Sequence, residues 1–187
     1  MPLPTAYFEY IMAVFVGASR AATICVQPEF ALNPSDPDTV RNTLSLIGTL
    51  FFWSCANQAN ALSYKSLANV YLYQLNLGCT NPDNANDGMC VGEVCHEDDI
   101  GITFGTCSNP TSQQTAMSNE IMGRWAAFAN NGNPNIAGKT TWNKVGSSTK
   151  LNQMIFSSTD TVNQTMNSAI CGPIFGDMVP YNFELYG

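Results

Sequence analysis

Apolar residues recur at Phe8, Ile11, Met12, Phe15 and Val16, the i, i+3, i+4, i+7, i+8 series of one helical face, and predict a helix over residues 5–26. Glu9 and Arg20 bracket or interrupt the apolar run from Tyr10 to Val26, so no stretch of ~18 uninterrupted apolar residues exists and no transmembrane span is expected. Pro28 and Asn33-Pro34-Ser35-Asp36-Pro37-Asp38 break the chain, and Asp36-Pro37-Asp38-Thr39 supplies a helix start. Residues 38–66 read as one long or two short helices. The run Val70–Leu75 is short, aromatic and apolar on both alternating faces apart from Gln74, the pattern of a central parallel strand. A Gly, Asn, Asp and Cys-rich loop, residues 76–111, follows. Met117, Ile121, Met122, Trp125, Phe128 and Ala129 then mark an amphipathic helix that Asn131-Gly132-Asn133-Pro134 terminates. Trp142 and Met154-Ile155-Phe156 mark short strands or edge segments, and a last helix is predicted over about Val162 to Phe175.

With 187 residues and 45% apolar content, the chain can build a core. Only 11% of residues are charged, and polarity is carried instead by Asn, Gln, Ser and Thr. A net charge of −7 with scattered Lys and Arg argues against nucleic acid as a partner. Seven cysteines point to an oxidising compartment, and Asn163-Gln164-Thr165, an N-glycosylation acceptor at Asn163, agrees with a secreted, extracellular protein. Met1-Pro2-Leu3-Pro4 lacks the basic start and cleavage site of a secretory signal, so the expectation is a removed signal or a piece of something longer.

His96, the only histidine, lies in the long loop after the predicted strand, where an α/β enzyme keeps a general base. Cys79, Cys90, Cys95 and Cys107 share that loop, so two local bridges in any of three pairings are open; Cys90 with Cys95 and Cys79 with Cys107 is preferred, because the short bridge would fix the backbone that aims the imidazole. A zinc site from Cys90, Cys95, His96 and Cys107 lacks the paired C-x2-C halves of common structural sites. Glu97, Asp98 and Asp99 cannot all face one calcium ion and read as a solvated acidic turn. No metal and no cofactor are assigned. Trp53, Trp125 and Trp142 read as packing residues.

Four segments carry a resemblance: Tyr71-Leu72-Tyr73; Cys95-His96-Glu97-Asp98-Asp99-Ile100 through Phe104-Gly105; Trp125-Ala126-Ala127-Phe128-Ala129 into Gly132-Asn133-Pro134-Asn135 with Trp142 following; and Leu46-Ile47-Gly48-Thr49 through Phe52 to Cys55. In order and spacing they resemble the C-terminal part of a type-B carboxylesterase, the cholinesterase and fungal-lipase branch of the α/β-hydrolases. The resemblance implies an α/β fold, mainly helices plus two or three strands of a larger sheet, with residues 1–187 forming a single partial domain. It implies that His96 matches the triad histidine and that Cys55 pairs with Cys171; with the loop cysteines paired, Cys25 is left as the odd thiol, and its apolar setting predicts a buried free cysteine. The family usually has Gly directly after the histidine; Glu97 stands here.

No G-x-S-x-G nucleophile elbow occurs in the chain. Gly17-Ala18-Ser19 after an apolar run imitates one, but Ser19 reads better as a small helical residue. The expected partner is therefore the missing N-terminal part of the hydrolase, in the same or a separate chain, carrying the serine and the acid, with an ester or lipid as substrate. The alternative is a cholinesterase-like adhesion, matrix or assembly protein that kept the fold and lost the chemistry.

Overall fold

A computed structural model describes residues 3–90, 93–147, 151–157, 161–165, 171, 172 and 174. The chain forms two compact units, one from residues 1–63 and 167–187, the other from residues 64–166.

The first unit is helical. Helix α1 (Phe8–Val16) ends where Gly17 adopts φ +82° and ψ 150°, a conformation that disfavours residues with a Cβ, and α2 (Ala18–Cys25) starts anew. The single helix expected over residues 5–26 is therefore two. Phe8, Met12, Ala21 and Ile24 are buried with Phe30, Val40, Ile47 and Phe51, whereas Phe15 and Val14 face outward. Helix α3 (Thr39–Gly48) runs through a π-helical turn, Thr49–Ser54, into α4 (Cys55–Tyr64). Its entry is organised by Asp36, whose carboxyl oxygens accept from the Asp38 N–H at 2.9 Å and Asn42 Nδ2 at 2.9 Å, while Asp38 makes no side-chain cap bond. A disulfide joins Cys55 to Cys171. Cys25 carries no disulfide and is half-buried rather than buried; burial, then the Glu9 charge, raises its thiol pKa. Trp53 is 62% exposed and is not a core residue.

The second unit holds a three-stranded sheet in the order β1-β2-β3, with β1 Leu72–Leu75, β2 Asn152–Phe156 and β3 Thr161–Thr165. Strand β1 pairs parallel to β2 with Leu72 opposite Gln153, and β3 pairs antiparallel to β2 with Asn152 opposite Thr165. Among the described strands β1 is thus at an edge and β2 is central; the buried run Met154-Ile155-Phe156 shows both faces of β2 covered. The helix expected from Val162 is a strand over Thr161–Thr165, because β-branched Thr161, Val162 and Thr165 fit a pleat better than a helix and β2 offers a ladder. The rest of that expected helix falls largely outside the described residues.

A parallel pair requires a long crossover, and here it carries α5 (Asp98–Phe104) and α6 (Ser112–Asn131). Thr111 and Gln114 form a reciprocal capping box at the start of α6, and Gly132, at φ +71°, closes its end. Trp142 is not in a strand. It is held in an irregular segment by the Asn135 side chain, whose Nδ2 donates to the Trp142 carbonyl and whose Oδ1 accepts from the Trp142 N–H, and its indole N–H donates to the Leu72 carbonyl of β1 at 2.9 Å. With Met154, Phe156, Ile102, Met117 and Ile121 it forms the core of this unit, each fully buried apolar side chain stabilising by about 1.5–3 kcal/mol. No helix of the described residues is long and apolar enough to cross a membrane.

Candidate active site

The loop between β1 and α6 does not behave as a solvated acidic turn. It contains α5, and Asp98, at the first position of that helix, is only 2% exposed. Its carboxyl group accepts from three donors: Oδ1 from the Asn81 N–H at 2.7 Å and from Asn84 Nδ2 at 2.9 Å, Oδ2 from the Cys95 N–H at 2.8 Å. A buried carboxyl is tolerated when its lone pairs are filled in this way. Three consecutive acids gave no sign that the middle one points inward; the donors Asn81 and Asn84 lie 17 and 14 residues away in sequence.

Two disulfides close on the same segment, Cys79–Cys107 across 28 residues and Cys90–Cys95 across 5. The thiols of the zinc reading are thereby consumed, and no group of three or more His, Cys, Asp or Glu among the described residues is placed to hold a metal. Gly78 lies so close to Asp98 that a Cβ there would sit 2.7 Å from the Asp98 Cβ, while the Cys79 N–H donates to the Asp98 carbonyl at 2.8 Å. From the other side, α6 reaches in through Gln114 Nε2 to the Gly78 carbonyl and Ser118 Oγ to the Ile102 carbonyl.

On this base stands a turn, His96-Glu97. The His96 side chain is 79% exposed, and its carbonyl accepts from Asn84 Nδ2 at 2.6 Å. The same amide group thus holds the backbone of His96 and the carboxyl of Asp98. Glu97 occupies the left-handed region at φ 68°, ψ 1°, where an L-residue other than Asn or Asp is strained. Its Oε2 accepts from Asn81 Nδ2 at 3.2 Å and its Oε1 stands 3.8 Å from His96 Nε2. Ser19, by contrast, is an exposed residue of α2 in the first unit, and its carbonyl accepts from Thr23 Oγ1. Residues Ile11–Val16 before it are helical, so Gly17-Ala18-Ser19 is not a strand-to-helix elbow.

The family sequence model described as the carboxylesterase family matches residues 18–172. The chain belongs to the carboxylesterase family. Solved structures with the same fold include a PNB esterase, at a TM-score of 0.61 with 16% identity over 87% of this chain and 31% of the other, and a thermophilic PNB esterase, at 0.61 with 14% identity over 87% and 32%. This carboxylesterase chain therefore spans about a third of the length of those proteins, and its architecture is part of an α/β-hydrolase fold.

The carboxylesterase segment is braced by groups that periodicity did not single out. Arg124 is 0% exposed; its guanidinium donates to Glu120 Oε1 at 2.9 Å and to the Pro134 and Thr140 carbonyls, and Lys139 Nζ bonds Glu120 Oε2 at 2.9 Å. Burial works to raise the Glu120 pKa, but the hydrogen bonds and charges of Lys139 and Arg124 outweigh it and hold that carboxyl below its ordinary value. The i, i+4 spacing of Glu120 and Arg124 was the available signal. Beside them Tyr71, Tyr73, Trp125, Phe128 and Trp142 line a groove of about 390 Å³; burial, then the Asp99 charge, raises the Tyr73 hydroxyl pKa.

Proposed function

We propose that this chain is the C-terminal part of a secreted carboxylic-ester hydrolase of the serine type, in which His96 is the triad base and residues 1–187 form one partial domain. The reading is carried by one observation: within a carboxylesterase-family segment, an outward-facing imidazole sits on a turn after a strand, on a backbone held by a disulfide and a buried carboxyl. In such an enzyme the imidazole takes the proton of the serine hydroxyl as it attacks the ester carbonyl, and returns a proton to the departing alcohol. Water then hydrolyses the acyl-serine by the same route. The serine, the acid and the oxyanion donors come from the remainder of the hydrolase, and the substrate is an ester or lipid. The disulfides support an oxidising, extracellular location, and Asn163, in β3, is the proposed glycan acceptor.

The test is reaction of the whole protein with a fluorophosphonate serine probe. Wild type is expected to label, and His96→Gln to label at least a thousandfold more slowly. Absence of labelling in wild type overturns the esterase reading.

One contact favours a second reading, a fold kept for adhesion, matrix or assembly without chemistry. Glu97 Oε1 at 3.8 Å competes for His96 Nε2, the nitrogen that would face a serine. If that carboxylate silences the site, Glu97→Gly restores labelling to an unreactive wild type.

A further inference from the structure

We propose that Asp98, acting through Asn84, is a positioning residue for His96; the inference rests on the esterase reading above. The His96 side chain is 79% exposed, and the backbone beneath it carries much of the work of placing the ring. That backbone is held on both sides of the His96 Cα. On the N-terminal side the Cys95 carbonyl accepts from the Asp98 N–H at 3.2 Å and the Cys95 N–H donates to Asp98 Oδ2; on the C-terminal side the His96 carbonyl accepts from Asn84 Nδ2. Asn84 spends both hydrogens of its amide in this arrangement, one on the His96 carbonyl and one on Asp98 Oδ1. Asp98 is in turn buried at the first position of α5, with Gly78 pressed against its Cβ. The result is a clamp in which the Asp98 backbone holds the peptide before the His96 Cα, the Asp98 carboxyl holds the Cys95 N–H one peptide further back, and Asn84 holds the peptide after it.

Charge and shape are both needed. In Asp98→Asn one oxygen becomes an NH₂, so either the Cys95 N–H or the Asn81 and Asn84 donors would face a donor. Asn84→Ala is the milder variant, because Asn84 is only half-buried; it removes the two bonds and leaves the Asp98–Cys95 bond in place.

The experiment uses the whole protein. Asp98→Asn and Asn84→Ala are expected to lower kcat for an ester substrate about 10- to 100-fold while KM stays within about twofold, since a displaced base weakens the transition state rather than binding. Hydrogen exchange of the peptide spanning residues 93–98 is expected to quicken at least about tenfold in both variants. Asn42→Ala, which removes the bond to Asp36 at the start of α3 in the first unit, is the control: it lowers the melting temperature and leaves kcat alone. Unchanged exchange in Asn84→Ala overturns the clamp, and faster exchange with unchanged kcat overturns its role in positioning. A wild type that hydrolyses no ester overturns the esterase reading, and the exchange rates then decide the clamp alone.

Discussion

Replacing Glu97 by Gly, Ala and Val in turn separates the strain of its backbone from the value of its carboxylate. At φ 68° and ψ 1° an L-residue costs roughly 1–2 kcal/mol relative to an unstrained conformation, which Gly relieves. Against that gain, Gly adds unfolded-state freedom worth about 0.4–1 kcal/mol. The lost carboxylate forfeits an exposed 3.2 Å bond from Asn81 worth about 0.5 kcal/mol and a solvent-screened contact to His96 worth a few tenths at most. The contributions nearly cancel, so Glu97→Gly should lie within about 0.5 kcal/mol of wild type. Ala keeps the strain and loses the carboxylate, for about 0.5–1 kcal/mol. Val adds a β-branch that the left-handed region excludes, for about 2 kcal/mol. Thermal unfolding followed by circular dichroism at one fixed pH should rank the proteins wild type and Gly together, then Ala, then Val. The spacing is about 2–4 °C per kcal/mol. Gly falling below Ala would show that the left-handed backbone at this position carries less strain than Gly's added unfolded-state freedom, and would refute the reasoning.

Two further outcomes follow from the brace on α6. Arg124→Ala should destabilise by about 3–5 kcal/mol in urea titration, because it strands the Glu120 carboxyl at a site where only Lys139 remains to pair it. Glu120 has a folded pKa below its ordinary value of 4.5, so its stabilisation is present in full above that pH and is lost as pH falls through the lower folded value. Glu120→Gln should therefore flatten the acid-side decline of the melting temperature below about pH 4.5.

Much of this structure was readable where one periodicity ruled a segment. The run Val70–Leu75 gave a parallel strand, and Met117, Ile121 and Trp125 with the Asn131–Pro134 stop gave α6. The α/β-hydrolase class itself came from motifs rather than periodicity. Reading failed where a single residue overrode a pattern, as Gly17 does in an apolar run that is otherwise one helix. It failed again where short β-branched residues found a partner strand, as at Thr161–Thr165. That His96 lies in the loop after β1 was legible, but what holds its backbone there was not. Burial of Asp98 rather than Glu97 depends on donors brought in from Asn81 and Asn84, and no local rule ranks three neighbouring acids. Met122 and Phe128, placed on the buried face of α6 by period, are exposed, while Glu120 and Arg124 are inside, because a paired and fully bonded ion pair can occupy the core.

The parallel pairing of β1 with β2 joins residues about eighty positions apart, Leu72 with Gln153. At a synthesis rate of about 5–20 residues per second, β1 leaves the ribosome on the order of 4–16 s before its neighbour exists. Helix α6, with both ends capped, can form during that interval from local contacts alone, and β2 with β3 closes as a hairpin soon after it emerges. The strand that carries the chain into the histidine loop is therefore the one that waits, and it spends the wait as an unshielded apolar edge. The segment of the sheet that stays longest without its native partner during synthesis is thus Leu72–Leu75, and it is there that pairing with a neighbouring nascent chain competes with folding.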